Sequence, residues 1–487
     1  MENGNYYYVA NCNKRNSNCK LTEEVFKEWN GKCPYDNGGN YCSAKWKFSF
    51  DTGNDSPSSK EGVDENTSKN SISSQEELNK NLIYYKGEIG EFYYDPNIWE
   101  ICKIDLKESL HFKNIYIENL ELPKGLVSCY MMFYKCNLPE GFTLGDKFDT
   151  SNVIDMNGMF YKCNLPEGFT LGDKFDTSNV IDMNGMFYEC KLPEGFTLGD
   201  KFDTSNVIDM TSMFFDCKMP EGFTLGDKFD TSNVEYITQL FACCKLPKNF
   251  TLGDKFNTSK VKYMSEMFSC CEFLGEFSLG GKFDTSNVTE MLGMFFHCKL
   301  SENFSLGDKF DTSNVTSMES MFSGCNLPEG FTLGDKFDTS NVIGMGDMFY
   351  ECNLPKDFTL GDKFDTSNVI CMNGMFYKCK LPDDFTLGDK FDTSNVTGMS
   401  SMFSGCNLPK DFTLGGKFDT SNVIYMNSMF SDCNLPEGFT LGDKFVVSDN
   451  TNVFKMFKYA KMSNEFKAKY IELLSRVELQ KSLYMER

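Results

Sequence analysis

Histidine is almost missing from this 487-residue sequence, which contains only His111 and His297. The sequence also lacks a nucleophile elbow, a phosphate-binding loop and an HExxH motif. Those patterns place acids, bases, nucleophiles or zinc at the spacing that their chemistry needs. We therefore expect a protein without enzymatic activity and without a resident cofactor.

Basic residues are in short supply as well. The chain has 48 Lys and Arg against 70 Asp and Glu, which gives a formal net charge of −22 at pH 7. A nucleic-acid partner requires a basic face that can contact phosphates. We therefore expect the partners of this acidic chain to be something other than nucleic acid.

Long apolar runs are also absent. No stretch of 18 apolar residues occurs, so we expect no transmembrane helix. The first residues, MENGNYYYVANC, have neither the basic nor the apolar region of a secretory signal. No apolar stretch precedes Cys12, as it would in a lipoprotein start. The sequence therefore shows no recognisable export signal, and export by another route or residence inside the cell both stay open.

One long sequence motif is repeated instead. FDTSNVIDMNGMFYKC at 148–163 returns as FDTSNVIDMNGMFYEC at 175–190, and its final cysteine recurs every 27 residues from Cys136 to Cys433. A fixed period of this length predicts a solenoid in which each coil contacts its neighbours. We expect about twelve coils over residues 122–462, in a monomer.

The second half of the motif predicts a short arc in each coil. Successive apolar residues lie three or four positions apart, which lays them on one face of a short helix or 3₁₀ arc: Val153, Met156, Met159 or Phe160, and Cys163. Ser151 and Asn152 precede the arc, where they could cap free N–H groups. Stacked side chains at this turn could also bond the backbone of the neighbouring coil.

The segment LPEGFTLGDK predicts a strand between two turns. Phe169 and Leu171 alternate with Thr170, so the aromatic and aliphatic side chains would face inward. Stacking this strand on its equivalents would make a parallel sheet. The fold class expected is thus a leucine-rich-repeat-like solenoid with one short parallel strand and one helical or 3₁₀ arc per coil.

The motif FDTSNVxxMxxMFxxC strongly resembles the repeat of BspA-like leucine-rich repeat surface proteins, often called the DUF285 type. The resemblance extends from Leu126 to Phe457. It implies a surface or secreted protein of bacteria or protists, which conflicts with the missing export signal. LPEGFTLGDK departs from the Leu-rich strand segment of that family and lengthens the coil.

The remainder of the chain divides into smaller regions. We expect a small cysteine-containing module at 1–50, a polar linker at 51–80 and a hairpin-like lead-in at 81–121. A capping helix is expected at 463–487, because Phe466, Tyr470 and Val477 belong to an apolar stripe at helical spacing. A helix that binds a partner or mediates oligomerisation is the alternative for this segment.

Cysteine and aspartate are the candidates for metal chemistry. The N-terminal module contains Cys12, Cys19, Cys33 and Cys42, which could bind zinc, form two disulfides or remain free thiols. The end-of-unit cysteines fall on the apolar face and should be buried. Calcium binding by the recurrent Asp146 and Asp149 is less favoured than a solvated polar turn.

Cys243 and Cys270 each stand one place before an end-of-unit cysteine, in adjacent coils. Adjacent coils bring equivalent positions within the Cα distance that a disulfide accepts. We therefore predict that these two cysteines form a disulfide in an oxidising compartment.

The outward positions of the arc vary most between coils and are the predicted binding face for a protein or glycan. In the fourth to sixth coils they include Glu235, Tyr236, Lys262, Tyr263, Glu266, Glu290, Leu292, Phe296 and His297. Possible aromatic anchors elsewhere are Tyr161, Tyr188, Phe215, Tyr350 and Tyr377. The sequence thus predicts an interaction or adhesion scaffold, and a passive structural rod or surface coat is the alternative.

Overall fold

The computed structural model describes five strands between residues 7 and 104 by their backbone, and residues 126–485 except 136, 137, 139 and 146. Side chains are described from residue 126 to residue 480. The predictions for Cys12, Cys33, Cys42, the side chain of Cys19 and the linker at 51–80 therefore lie outside the described residues. The chain divides into two compact units, Met1–Ile72 and Ser73–Arg487.

Both units contain antiparallel strands near the start of the chain. In the first unit, β1 (Tyr7–Asn11) pairs with β2 (Asn18–Thr22). In the second, β3 (Ile83–Gly87), β4 (Gly90–Asp95) and β5 (Glu100–Ile104) form a three-stranded sheet in that order. The hairpin expected in this region thus gains a third strand.

From residue 126 onward the 27-residue units stack on one another. We number the full coils from Phe148, so that coil one is 148–174 and coil eleven is 418–444. The buried set is the one expected from the motif: Val153, Met156, Phe160 and Cys163 are each at most 1% exposed, and their equivalents in the other coils are also buried. The chain is therefore a repeat protein with one continuous core.

The arc of each coil is a series of tight turns, and the prediction of a helix or 3₁₀ arc is wrong. The N–H of Met159 donates to the carbonyl of Met156 within the coil (3.1 Å), whereas the N–H of Met156 donates to Asp182 of the next coil (2.9 Å). The same alternation continues to Cys163. Gly158 and Lys162 have left-handed φ values of 61° and 56°, which no right-handed helix contains.

The arc N–H groups donate in turn within their own coil and to the next coil, and this alternation explains why the arc is not helical. A helix directs its N–H groups into its own turn and would leave neighbouring coils joined by side chains alone. Here half of the arc N–H groups bond to the next coil, so the arcs build a ladder along the stack. The left-handed residues cost about 1 kcal/mol each where they are not glycine, and the bonds between coils offset that cost.

Parallel pairing between coils occurs at two places, and neither is the strand expected at Phe169–Leu171. Bridges join Asp155 to Asp182 and Asn164 to Lys191, and they recur along the stack. At the second place they lengthen into the parallel strands β6 (Lys245–Leu246) and β7 (Glu272–Phe273).

The segment equivalent to 169–171 is extended but unpaired. Its side chains alternate as expected, with Phe169 and Leu171 buried and Thr170 exposed. Among the described residues, however, Thr170 and Leu171 neither donate nor accept a backbone hydrogen bond. The strand was therefore predicted in the wrong part of the coil.

The spacing between stacked rings of neighbouring coils increases from the arc to the 169–171 side. Ring centroids of coils one and two lie 4.3 Å apart for Tyr161–Tyr188, 5.5 Å for Phe160–Phe187, 6.3 Å for Phe169–Phe196 and 6.5 Å for Phe175–Phe202. Aromatic stacking between neighbouring coils therefore continues on both sides of the core.

A buried threonine row fastens the turn that leads into each arc. The hydroxyl of Thr204 donates to the carbonyl of Asp230 (2.9 Å) and accepts the N–H of the same residue (2.7 Å). The threonines equivalent to Thr150 are at most 1% exposed. Sequence reasoning missed this row because threonine at a polar turn looks solvated.

The capping residues at this turn differ from the expectation. Asp149, rather than Ser151 or Asn152, accepts the free N–H, through its Oδ1 from the backbone of Ser151 (3.0 Å). The asparagines instead link neighbouring coils, as the expected stacking of side chains implies: the amide of Asn179 donates to the carbonyl of Ser151 (2.7 Å).

Two helices cover the end of the stack, α1 (Asn464–Lys469) and α2 (Ile471–Met485). Ser463 caps α1, and the ring of Phe466 extends the core ladder at 6.0 Å from Phe439. The side chain of Gln480 accepts the N–H of Val453 (2.8 Å) and donates to the carbonyl of Thr451 (3.0 Å). A side-chain amide thus replaces the backbone of a further coil. Neither helix, over the residues described, has the length and apolar character needed to cross a bilayer.

Candidate interaction surface

The outward positions of the arc form one continuous surface along the stack. We call it the arc surface; in coil one it consists of Ile154, Asp155, Asn157, Gly158, Tyr161 and Lys162. Hydrogen bonds between coils hold its backbone, as from the N–H of Gly158 to the carbonyl of Asn184 (2.8 Å). Because the backbone makes these bonds, the side chains at these positions can differ from coil to coil without breaking the ladder.

The predicted residues of coils four to six all lie on this surface, and none is fully buried. Tyr236, Lys262, Glu290 and His297 are exposed, whereas Glu235, Tyr263, Glu266, Leu292 and Phe296 are half-buried. The structure therefore places every one of them where a partner could reach it.

These residues form two groups with their own contacts. In the first, the rings of Tyr236 and Tyr263 stack at 5.0 Å, and Lys262 Nζ lies 2.7 Å from Glu235 Oε2.

In the second group, Phe296 contacts His297 edge-on at 4.3 Å. His297 covers Gly324 of coil seven, because a Cβ added at that glycine would clash with the imidazole. Glu266 lies between the two groups, and its carboxylate accepts a hydrogen bond from the amide of Gln239 (2.6 Å).

The proposed aromatic anchors are stacked with one another. Tyr161 and Tyr188 lie 4.3 Å apart, Phe215 continues the stack at 4.5 Å, and Tyr350 pairs with Tyr377 at 4.5 Å. All five rings are half-buried, and burial raises the pKa of Tyr161 and of Tyr188.

A glycine of the next coil lies beneath two of these rings. A Cβ added at Gly185 would lie 3.5 Å from the ring of Tyr161, and one added at Gly374 would lie 3.6 Å from Tyr350. These aromatics therefore stabilise the stack as well as presenting an edge to solvent.

A row of carboxylates on the arc surface was missed by the sequence reasoning. Asp155, Asp182 and Asp209 occupy the same bridge position in three successive coils. Burial, together with the charges of Asp209 and Asp155, raises the pKa of Asp182 to about 6, although the N–H of Asn184 bonds to its Oδ1 (2.8 Å). The available signal was the identical aspartate in three consecutive coils.

The comparisons with known proteins concern this repeat. Seven overlapping matches to one family, described as Mycoplasma protein of unknown function, DUF285, span residues 127–470. The chain belongs to the DUF285 family. No curated protein matches the chain, and no solved structure matches it.

The end-of-unit cysteines of this DUF285 chain are buried, as expected, from Cys163 to Cys433. The thiol of Cys244 donates to the carbonyl of Phe214 in the preceding coil (2.9 Å), and several other coils repeat this bond. Burial raises the pKa of Cys325 to about 12. These cysteines therefore act as small apolar side chains that also donate one weak hydrogen bond.

Cys243 and Cys270 behave differently from the buried cysteines of the DUF285 repeat. Both are free thiols on the arc surface, with Cys243 half-buried and Cys270 exposed. Burial and the adjacent Cys270 thiol raise the pKa of Cys243 to about 11. Their side chains are therefore neighbours, as the period predicts, and the disulfide between them stays a prediction.

No cluster of three or more metal ligands occurs in the part of the DUF285 chain whose side chains are described. Within residues 126–480, no three His, Cys, Asp or Glu side chains come together in a way that could hold a metal ion. The zinc alternative for the N-terminal cysteines concerns residues beyond that range. What the arc surface offers is a long, charged and aromatic face for non-covalent contacts.

Proposed function

We propose that this chain is a non-enzymatic interaction scaffold of the leucine-rich-repeat-like solenoid class. It would bind a protein or glycan through the arc surface, with the main site in coils four to six. The family resemblance supports work at the cell surface or in secreted form, in adhesion or attachment.

The proposed location of the site rests on one observation. In coils one to three the first arc position holds Ile154, Ile181 and Ile208, which are 41–44% exposed and match one another. In coils four and five that row changes to Glu235 and Lys262, next to the stacked Tyr236 and Tyr263. The core positions of the same coils remain apolar, so packing does not require the change.

The stacked rings of the arc surface support the same location. The rings of Tyr236 and Tyr263, from neighbouring coils, lie 5.0 Å apart, so one partner could contact both. Tyrosines on a rigid backbone provide contact area at a low entropic cost, and aromatic residues dominate the energetics of interfaces.

A passive rod is the second candidate, and the aromatic ladder favours it. Tyr161 and Tyr188 contact each other and a glycine, so their chemistry is explained without any partner. The isoleucines of the first arc position are β-branched, which favours an extended, ladder-forming backbone, so they too are explained without a partner. In this alternative the repeats provide only length.

An exchange of coils separates the two candidates. In one chimera, coils four to six are replaced by three copies of coil one; in the control, coils eight to ten are replaced in the same way. Both keep the length and the period. Each purified chain is then tested against one panel of immobilised proteins and glycans. We expect the central exchange to abolish binding that the control retains. Binding that survives the central exchange undiminished would favour the rod.

A further inference from the structure

Two thiols of the arc surface lie side by side in neighbouring coils. Cys243 of coil four and Cys270 of coil five occupy the position that Lys162 holds in coil one. Both are free thiols, the first half-buried and the second exposed, so an ion in solution can reach them. Burial, the Cys270 thiol and the charges of Asp216 and Glu266 raise the pKa of Cys243 to about 11. The two sulfur atoms are therefore close enough to act together on one ligand.

The backbone fixes both cysteines in the same conformation. Their φ values are 62° and 57°, and their equivalent places in the stack direct both side chains to the same side of the arc. The N–H of Cys243 donates to the carbonyl of Ser269 (2.7 Å), and that of Cys270 donates to the carbonyl of Phe296 (2.6 Å). Because ladder bonds hold both residues, the pair is formed before any ligand arrives.

The spacing of neighbouring coils on this surface fits two thiolates on opposite sides of one ion. Stacked rings of the arc surface lie 4.3 Å apart for Tyr161–Tyr188 and 5.0 Å apart for Tyr236–Tyr263. A metal–thiolate bond is about 2.3 Å long, so two thiolates with an ion midway between them lie about 4.6 Å apart. One step of the stack therefore matches the span of a linear sulfur–metal–sulfur unit.

The rest of the row does not complete a tetrahedral site. Asp216 precedes the pair in coil three and His297 follows it in coil six, so four metal-binding residue types lie in one line. The imidazole of His297 lies over Gly324 of coil seven, which is the side away from Cys270. Within residues 126–480, no three ligand side chains converge on one ion. This arrangement disfavours zinc, which takes four tetrahedral ligands in structural sites.

The chemistry of the pair favours Cu(I) instead. Thiolate is a soft ligand that selects Cu(I) over harder ions, and Cu(I) accepts two ligands on opposite sides. The hydroxyl of Ser269 donates to the sulfur of Cys270 (3.7 Å), and a hydrogen bond of this kind stabilises the thiolate. Two thiols in a row thus offer a complete site to this ion and an incomplete one to zinc.

We propose that Cys243 and Cys270 bind one Cu(I) ion between coils four and five. The ion replaces both thiol protons: Cu⁺ and two RSH groups give one RS–Cu–SR unit, which carries one negative charge, and two protons enter the solvent. This site requires the reduced pair, whereas the predicted disulfide is the oxidised form of the same two residues. It is additional to the proposed contact with a protein or glycan and does not depend on it.

The test is a titration of the reduced full chain with Cu(I), under nitrogen with ascorbate, against a coloured Cu(I) chelator. Cys243→Ser and Cys270→Ser each remove one ligand. The matched control is Cys371→Ser, because Cys371 is also half-buried on the arc surface but lies between Gly344 and Gly398 in its own row. The cysteines outside the stack are common to all four proteins, so the differences between the titrations report on the pair.

We expect each of the first two variants to bind one Cu(I) fewer per chain than the parent, and the control to match the parent. Because two protons are released, the affinity of the site should fall by up to about 100-fold per pH unit as the solution is acidified. Undiminished copper binding in either variant, or an equal loss in the control, would overturn the proposal. Zn(II) should not distinguish the variants from the parent, and an equal difference with zinc would overturn the linear geometry.

A second measurement uses the unaltered chain, so it does not depend on the folding of any variant. Saturating Cu(I) should protect Cys243 and Cys270 from an alkylating agent and leave the rate at Cys371 unchanged, because a metal-bound thiolate is a poor nucleophile. Peptide mapping of the alkylated protein measures all three rates. Alkylation of Cys270 at the same rate with and without Cu(I) would contradict the site.

Discussion

The two sides of each coil are held to their neighbours by different forces. On the arc side, backbone N–H groups such as that of Phe160 donate to the next coil at 2.9 Å. On the opposite side, Phe169 stacks on Phe196 at 6.3 Å, and no backbone hydrogen bond joins the described segments. Backbone hydrogen bonds, which almost any residue can make, therefore hold the arc side, whereas particular side chains hold the opposite side.

This difference accounts for much of the pattern of variation. Where the backbone makes the contacts, the outward side chains can change, and Ile208 is followed by Glu235 and Lys262 in successive coils. Where side chains make the contacts, Phe169, Leu171 and the left-handed Gly172 (φ 78°) recur almost unchanged. Nothing in the structure explains why the exposed Thr170 recurs with them.

The largest expected effect comes from the core that both sides share. Phe322 is fully buried and stacks on Phe295 at 5.7 Å and on Phe349 at 5.8 Å. Phe322→Ala should lower the free energy of unfolding by about 3–5 kcal/mol, because it leaves a cavity between two stacked rings. Chemical denaturation followed by circular dichroism measures this effect. Phe322→Leu, the control, should cost less, and a loss below about 1 kcal/mol for alanine would mean that the core is loosely packed.

An intermediate effect is expected where the threonine row joins neighbouring coils. Thr339 Oγ1 donates to the carbonyl of Asp365 and accepts its N–H, both at 2.7 Å. Thr339→Val keeps the shape but leaves both groups without this partner, and it should cost about 2 kcal/mol. Thr339→Ser keeps the hydroxyl and should cost about 1 kcal/mol or less. A valine variant that costs no more than the serine variant in denaturation experiments would contradict this role of the hydroxyl, because valine keeps the methyl group that serine lacks.

A smaller effect, an increase in the free energy of unfolding, is expected from a substitution on the arc surface. The pKa of Asp182 is raised to about 6, so the folded chain binds a proton at this site more tightly than the unfolded chain does. Protonation of Asp182 therefore stabilises the fold below about pH 4, and this contribution is lost as the pH rises through 6.

Asp182→Asn should consequently stabilise the chain at pH 7 by about 1–2 kcal/mol, with little change at pH 4. Asparagine keeps an oxygen for the N–H of Asn184. Denaturation of both chains at several pH values measures the difference. A variant that is less stable than the parent at pH 7 would contradict the raised pKa.

The smallest effect concerns thiol reactivity rather than stability. Cys270 is exposed, Cys243 is half-buried with a raised pKa, and the end-of-unit cysteines from Cys163 to Cys433 are buried. Among the cysteines of the stack, we expect an alkylating agent to modify Cys270 first, Cys243 more slowly and the buried row only on unfolding.

The same experiment after mild oxidation tests the predicted disulfide. We expect Cys243 and Cys270 to be recovered as one linked peptide in non-reducing peptide mapping. If both remain alkylatable in oxidised protein, no disulfide joins them.

The repeat and its buried positions could be read from the sequence, because a period of 27 residues and the apolar spacing depend on nothing outside the unit. The arc geometry could not. Residues three apart, such as Met156 and Met159, face the same way in a helix and in successive tight turns, so the spacing alone does not separate the two. The alternation of Phe169, Thr170 and Leu171 is likewise the same whether or not the segment pairs.

The candidate site was predictable in part. Variation between coils identified the arc surface and placed Tyr236 and Tyr263 on it, because outward positions are those that packing leaves unspecified. It could not show that the rings of Tyr161 and Tyr188 contact each other, since that depends on the short distance between coils. Nor could it show which carboxylates form an ion pair with a lysine, because each such pair joins two neighbouring coils.

Amide hydrogen exchange tests most directly the claim that the arc backbone holds the stack together. Coil five is suitable because its sequence differs from that of the other coils. There the N–H groups of Glu266, Phe268 and Cys270 donate to coil six at 2.7, 3.0 and 2.6 Å, whereas those of Ser278 and Leu279 donate to no described backbone carbonyl. We predict that the arc amides exchange at least about 100-fold more slowly than those of Ser278 and Leu279. Equal rates, or stronger protection at Ser278 and Leu279, would contradict the account.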